Sequence, residues 1–468
     1  MAAQPQGDKE MAERILDVGA LIESRPIGRA QWVVIGLCGF VAMLDGLDLQ
    51  SIGLAAPAMI AQLHIAPHIF GFVFSAALAG LALGAFLLGP LADRVGRKQV
   101  LVGATFCFGV FTVATAYAGD LTQLLVCRFL TGLGLGGAMP SFISLASEYV
   151  PKARRATVVS LLWAGFPLGG VIGGVLGSWI IPAYGWQSIF LVGGVLPILL
   201  SVILATVLPE SVSFLVAAGK PGERIARTLR GIFPDVTIAV GMQFEIAKEI
   251  AHRASVLELF RSGRALGTIL LWVSFFFAFM ILVTNSSWSP ILLRRVGIPT
   301  EQTALALALY NFGSLFGSGA AGMLLSRLGV LRVLPPTLAL GALAYVMVGW
   351  TAPSLSSLMV AQCLFGLLLG CASSGLIAQS AIYYPVEIRS TGVGWATGIG
   401  RLGSVTGPLV VAQMVGAQWD VATIFAVAGG SVLIGAVACA LMGLLPPANT
   451  SSVLATTPNP SPNPSLQA

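Results

Sequence analysis

Long apolar runs recur along the whole chain, separated by short polar breaks. Twelve can be drawn, over approximately 31–57, 69–91, 99–118, 121–147, 156–181, 186–208, 265–290, 302–325, 331–351, 354–380, 391–414 and 420–445. A helix crosses the hydrocarbon layer with about 20 apolar residues, and each run is near or above that length. The runs are continuous rather than alternating, which argues against barrel strands. The pattern predicts an all-α membrane protein with twelve transmembrane helices. The longest polar break, 209–264, separates six runs from six and is amphipathic around Arg224–Arg230 and Gln243–His252, which predicts short surface helices. The stretch after Leu445 is rich in Pro, Ser, Asn and Thr and predicts a disordered tail. The expected organisation is a terminal segment 1–30, a six-helix half 31–208, a central loop 209–264, a second six-helix half 265–445 and a tail 446–468.

Composition agrees with lipid as the main solvent. Of 468 residues, 25 are basic and 19 acidic; 9% are charged, 56% are hydrophobic, and the mean hydropathy is +0.90. So much apolar surface excludes a soluble enzyme, a nucleic-acid binder and a disordered chain. The net charge of +6 follows topology instead. Segment 1–30 and the even-numbered breaks carry 21 Lys and Arg, against two, Arg294 and Arg295, on the opposite side. That asymmetry places both termini in the cytoplasm of a multi-pass protein of the cell (inner) membrane. The six cysteines fall inside apolar runs without ligand spacing and read as small packing residues. No cofactor or metal is expected.

The halves echo each other at a shift of 233–234 residues. GPLADRVGRKQVL (89–101) aligns with GMLLSRLGVLRVL (322–334), and EYVPKARRAT (148–157) with IYYPVEIRST (382–391). Gly132 and Gly136 align with Gly366 and Gly370. Polar loops and helix glycines agree at nearly one shift, which is the mark of two parallel repeats around a central site opened alternately to either side.

Charged residues inside the runs are few. The first run holds MLDGLDLQSIGLAAPA (43–58), in which Asp45 and Asp48 share one helix face. Two carboxylates that close and that dry are costly to hold with both charges, which suits a group that takes up and releases a proton; a structural pair bonding neighbouring helices is the alternative. Arg128 in the fourth run calls for an interior partner. Arg401 in the eleventh suits a bidentate contact with a carboxylate, either Asp45 or an anionic substrate. In the loop after the second run, Gly89 allows close helix contact, Asp93 can accept a charge-assisted bond beside Arg94 and Arg97, and Gly96 permits a tight turn. In its copy Ser326 replaces Asp93. Trp163, Phe166 and Trp395, with Phe40, Trp272, Phe276 and Tyr310, are candidate walls for a ring. Trp186 and Trp288, near run ends, read as interface anchors.

The loop GPLADRVGRK with its weaker copy, on twelve runs in two halves, resembles the major facilitator superfamily across the full chain. The DGLD motif with IGLAAPA, the stretch WAGFPLGG (163–170) and the stretch STGVGWATGIGRLGSVTGP (390–408) resemble its aromatic acid:proton symporter branch. The resemblance implies the major facilitator fold and a monomeric importer of a benzoate-type acid, with protons as the coupling ion. It implies transport and proton coupling for Asp45 and Asp48, and substrate binding or charge balance for Arg128 and Arg401. It implies conformational control for the Asp93 loop, with Glu148 and Arg155 as a second gate cluster and Glu387 and Arg389 as its counterpart. A proton-antiport exporter of drugs or metabolites is the alternative within the superfamily.

Overall fold

The computed structural model describes residues 15–233, 242–245, 255–351, 354–385 and 387–445. Among these residues twelve long helices follow the apolar runs. The first six are α1 Arg29–Gln62, α2 Phe70–Val95, α3 Arg97–Ala116, α4 Leu121–Glu148, α5 Lys152–Tyr184 and α6 Gln187–Val207. The second six are α7 Ala265–Arg295, α8 Thr300–Leu328, α9 Val330–Thr351, α10 Leu355–Tyr383, α11 Arg389–Gly416 and α12 Val421–Met442. Lipid offers no hydrogen-bond partners, so a crossing segment must satisfy its own backbone, and helices do so. Eleven of the twelve are long and apolar enough to cross a membrane by length and composition. The remaining one, α11, is as long but carries Arg401 among glycine, serine and threonine, and it packs against α7, α2 and α10.

The repeat is visible in the packing. In the first group α4 packs on α2 and α3, α1 on α5, and α3 on α6; in the second α10 packs on α8 and α9, α7 on α11, and α9 on α12. Glycines set the closest of these approaches. A Cβ at Gly132 or Gly136 would strike the α2 backbone at Ala77 or Leu81, and one at Gly366 or Gly370 would strike α8 at Tyr310 or Ser314. The α2–α3 and α8–α9 turns use the matched glycines Gly96 (φ +122°) and Gly329 (φ +86°), a region that excludes most L residues.

The two groups meet along α5 with α8, α2 with α11 and α1 with α7. We call the face that carries both ends of the described chain, Ile15 and Leu445, the near face, and its opposite the far face. At the far face the apolar core is continuous: Ile52, Met59, Phe70 and Phe74 of the first group pack with Ile281, Trp288 and Ile291 of the second. At the near face the first group keeps a separate core around Leu101, Phe142, Leu145 and Leu204.

Some expectations change. A surface helix forms at Gly222–Ile232, its Ile225, Ala226, Leu229 and Ile232 turned inward. Gln243–Glu245, expected in a helix, is instead a short strand paired in parallel with Ile15–Asp17, while 246–254 and the tail 446–468 lie outside the described residues. Of the two tryptophans expected as interface anchors, Trp186 and Trp288, only Trp288 is bonded in the interior. Both are buried, the Trp186 indole donating to Gln62 Oε1 at 2.7 Å and that of Trp288 to the Pro408 carbonyl at 3.0 Å. With the Pro408 carbonyl as an interior acceptor Trp288 needs no interfacial water, whereas Gln62, the acceptor of Trp186, is an exposed residue at the end of α1.

Candidate functional site

The acid pair of α1 divides in two. Asp48 is wholly enclosed by its own group of helices. Arg128 of α4 grips it with two bonds, Nη1 to Oδ1 at 3.1 Å and Nη2 to Oδ2 at 2.6 Å. Thr112 of α3 donates to Oδ1 at 3.0 Å, and the guanidinium lies 5.8 Å from the centre of the Phe190 ring. This is a bidentate, cation–π-braced pair that fills both carboxylate oxygens. Arg128 thus has the interior partner its burial demands, and that partner is an acid of the same chain.

Asp45, a turn nearer the near face, is different. It is 5% exposed and, among the described residues, forms no ion pair within 4.0 Å; Arg401 and Asp48 are charges near enough to act on it. Arg401 is half-buried, and its Nη2 rests 2.8 Å from the Met139 sulfur of α4. A thioether is a weak acceptor, so this guanidinium keeps bonding capacity for an anion. Asp45 and Arg401 therefore stand across the seam between the groups, coupled through their fields but not closed on each other. At 1.5 Å per residue they lie about 26 Å and about 22 Å from the far ends of α1 and α11. Phe166 is held against this place, because Gly46 of α1 lets the Phe166 backbone approach with no room for a side chain. Trp163 is 38% exposed one turn away, and Trp395 stacks on Trp272 with ring centres 5.9 Å apart. Tyr310 is buried and stacks on Phe365, so it packs α8 on α10.

On the far side of Asp45 and Arg401 the groups are joined. Gln50 donates to Ser286 and Asn311, Ser75 to the Val405 carbonyl at 3.0 Å, and Phe74 meets Trp288 edge-on.

The near-face loop gathers a second cluster. Arg97 binds Glu148 at 2.9 Å, while the fuller exposed Asp93 lies 3.9 Å from Arg97. The other partners of Glu148 are Ser211 Oγ and the Ser213 N–H, both at 2.6 Å. Sequence reading missed Glu210, which accepts from the Lys98 and Ser211 N–H groups at 3.0 and 2.9 Å. The signal was an acid in PES (209–211), directly after the sixth run. Tyr149 donates to the Glu210 carbonyl at 2.5 Å; burial first, then the charges of Glu148 and Glu210, hold its phenol well above its ordinary value, so it stays a donor. The close contact expected at Gly89 is absent, since a Cβ there would meet nothing within 4 Å, and Arg94 is exposed. Among the described residues the counterpart cluster is looser: Glu387 is exposed, and Arg389 donates to the Tyr384 carbonyl at 3.4 Å.

Residues 38–299 and 270–465 match the Major Facilitator Superfamily. The chain belongs to that superfamily. Among curated proteins this facilitator is 39% identical over 407 residues to the 4-hydroxybenzoate transporter PcaK of Pseudomonas putida, covering 86% of this chain and 91% of the relative. It is 36% identical over 396 residues to the gallate transporter of Pseudomonas putida, covering 84% and 88%. Among solved structures the D-xylose-proton symporter superposes with a TM-score of 0.69 at 18% identity, over 89% of this facilitator and 98% of that chain, which shows a shared fold. The relatives are named as transporters, not enzymes.

Proposed function

We propose that this facilitator imports an aromatic carboxylate together with protons across the cell inner membrane, its near face and both termini being cytoplasmic. The observation that carries the reading is the unclosed couple of Asp45 and Arg401 at the seam, beside Phe166 and Trp163, in a chain similar to transporters of 4-hydroxybenzoate and gallate. Asp45 takes the coupling proton. Arg401 trades the Met139 sulfur for the substrate carboxylate, which it can hold with two parallel bonds. Phe166, Trp163 and Trp395 flank the ring. Each event cancels a charge at mid-depth, which lowers the cost of closing the site away from water. The groups 31–208 and 265–445 then rock about the site, as a monomer. Asp48 and Arg128, closed on each other, brace the first group and keep α1 in register. The near-face cluster of Arg97, Glu148 and Glu210 sets the angle of the Asp93 loop.

Uptake of labelled aromatic acids by reconstituted vesicles, with and without an imposed pH gradient, tests this. Accumulation that follows the gradient supports the reading, and efflux in exchange for protons would establish export instead.

A further inference from the structure

Gln50 lies five residues beyond Asp45 on α1, about 7.5 Å closer to the far face. Its Nε2 donates to Ser286 Oγ of α7 and to Asn311 Oδ1 of α8, each at 3.2 Å. All three residues are buried. Asn311 is fixed in turn by donating to the Leu307 carbonyl at 2.9 Å, and its amide lies against Gly170 of α5, where no side chain would fit. One amide of the first group is thus tied to two helices of the second, directly over the Asp45–Arg401 couple.

The backbones around it come as close as glycine allows. Gly53 faces Ser286, Gly174 faces Ala304 and Ala308, and Gly71 faces Pro408 and Ala412. The polar set is also incompletely paired. Among the described residues Gln50 Oε1 has no partner, nor do Asn285 Nδ2 and Gln362 Oε1 in the adjoining cluster where Ser289 and Gln362 donate to Asn285 Oδ1. Spare acceptors and a spare donor let such a set re-pair when the helices part, whereas a saturated one would resist.

We propose that Gln50, Ser286 and Asn311 form the latch of the far-face gate, holding the roof over the transport site shut with neutral hydrogen bonds. The latch carries no charge, so neither the coupling proton nor the membrane potential acts on it directly. It opens when Gln50 releases α7 and α8.

The test needs no substrate, so its failure would leave the transport reading standing. Ser287→Cys places a thiol under the roof, beside Ser286 and against Gly53. A membrane-impermeant maleimide is applied to intact cells, external to the far face in the proposed orientation, and labelling is compared with that of the parent chain. Adding Gln50→Leu should speed labelling about tenfold, the effect of losing two neutral bonds. Adding Ser286→Ala, the milder change, should speed it a few-fold. Unchanged labelling in both variants, with folded protein confirmed by gel filtration, would overturn the latch.

Discussion

Two aspartates three residues apart on one helix have come to opposite circumstances. Asp48 has both oxygens filled by Arg128 and Thr112, while Asp45 meets Arg401 only through the field between them. Breaking a buried pair leaves a charge stranded, at a cost of about 3–5 kcal/mol. Arg128→Ala should therefore lower the thermal unfolding midpoint in detergent sharply, and Asp48→Asn should do so to a lesser degree. Asp45→Asn should leave that midpoint nearly unchanged, abolish pH-driven accumulation, and preserve exchange of substrate across the membrane. Arg401→Lys keeps the charge but loses the planar fork, and should raise the concentration for half-maximal uptake roughly tenfold while expression holds. Sequence could find these four residues, because a charge inside an apolar run is expensive and conspicuous. It could not pair them, since whether Asp48 or Asp45 meets Arg128 depends on how α1 is rotated against α4.

At the scale of the helices, glycine positions show which contacts are tight. A Cβ at Gly366 would collide with the Tyr310 carbonyl, whereas one at Gly89 would meet open space. Gly366→Val should thus remove most folded protein from the membrane, and Gly89→Ala should not; the yield on gel filtration distinguishes them. The matched turns at Gly96 and Gly329 were legible in the alignment of the two loops. The pairing of Gln243–Glu245 with Ile15–Asp17 was not, because three residues carry no usable period and the partner strand lies near the opposite end of the first group. Trp288 misled for a related reason: its place near the end of α7 is that of an anchor, but the Pro408 carbonyl that takes its proton comes from α11. Glu210 was passed over because its partners, the backbone N–H groups of Lys98 and Ser211, have no signature in side-chain spacing.

For the molecule as a whole, lipid made the sequence readable. A solvent without hydrogen bonds forces full-length helices, and the duplicated loops exposed the repeat. The seam was hidden, because the far-face junction is built from neutral residues such as Gln50, Ser75 and Phe74, on which no count of charge or hydropathy comments. In the proposed cycle the far face is shut, the Asp45–Arg401 couple sits beneath it, and the driving force enters at Asp45. The electrical part of that force is about 2.3 kcal/mol per charge per 100 mV. The most direct measurement reconstitutes the protein in liposomes, offers a panel of radiolabelled benzoates, and makes the interior alkaline. The account predicts that at least one benzoate is concentrated well above its bath level, that a protonophore discharges it, and that Asp45→Asn never builds it up. Equal internal and external levels for every benzoate under a maintained gradient, or build-up indifferent to the protonophore, would contradict it.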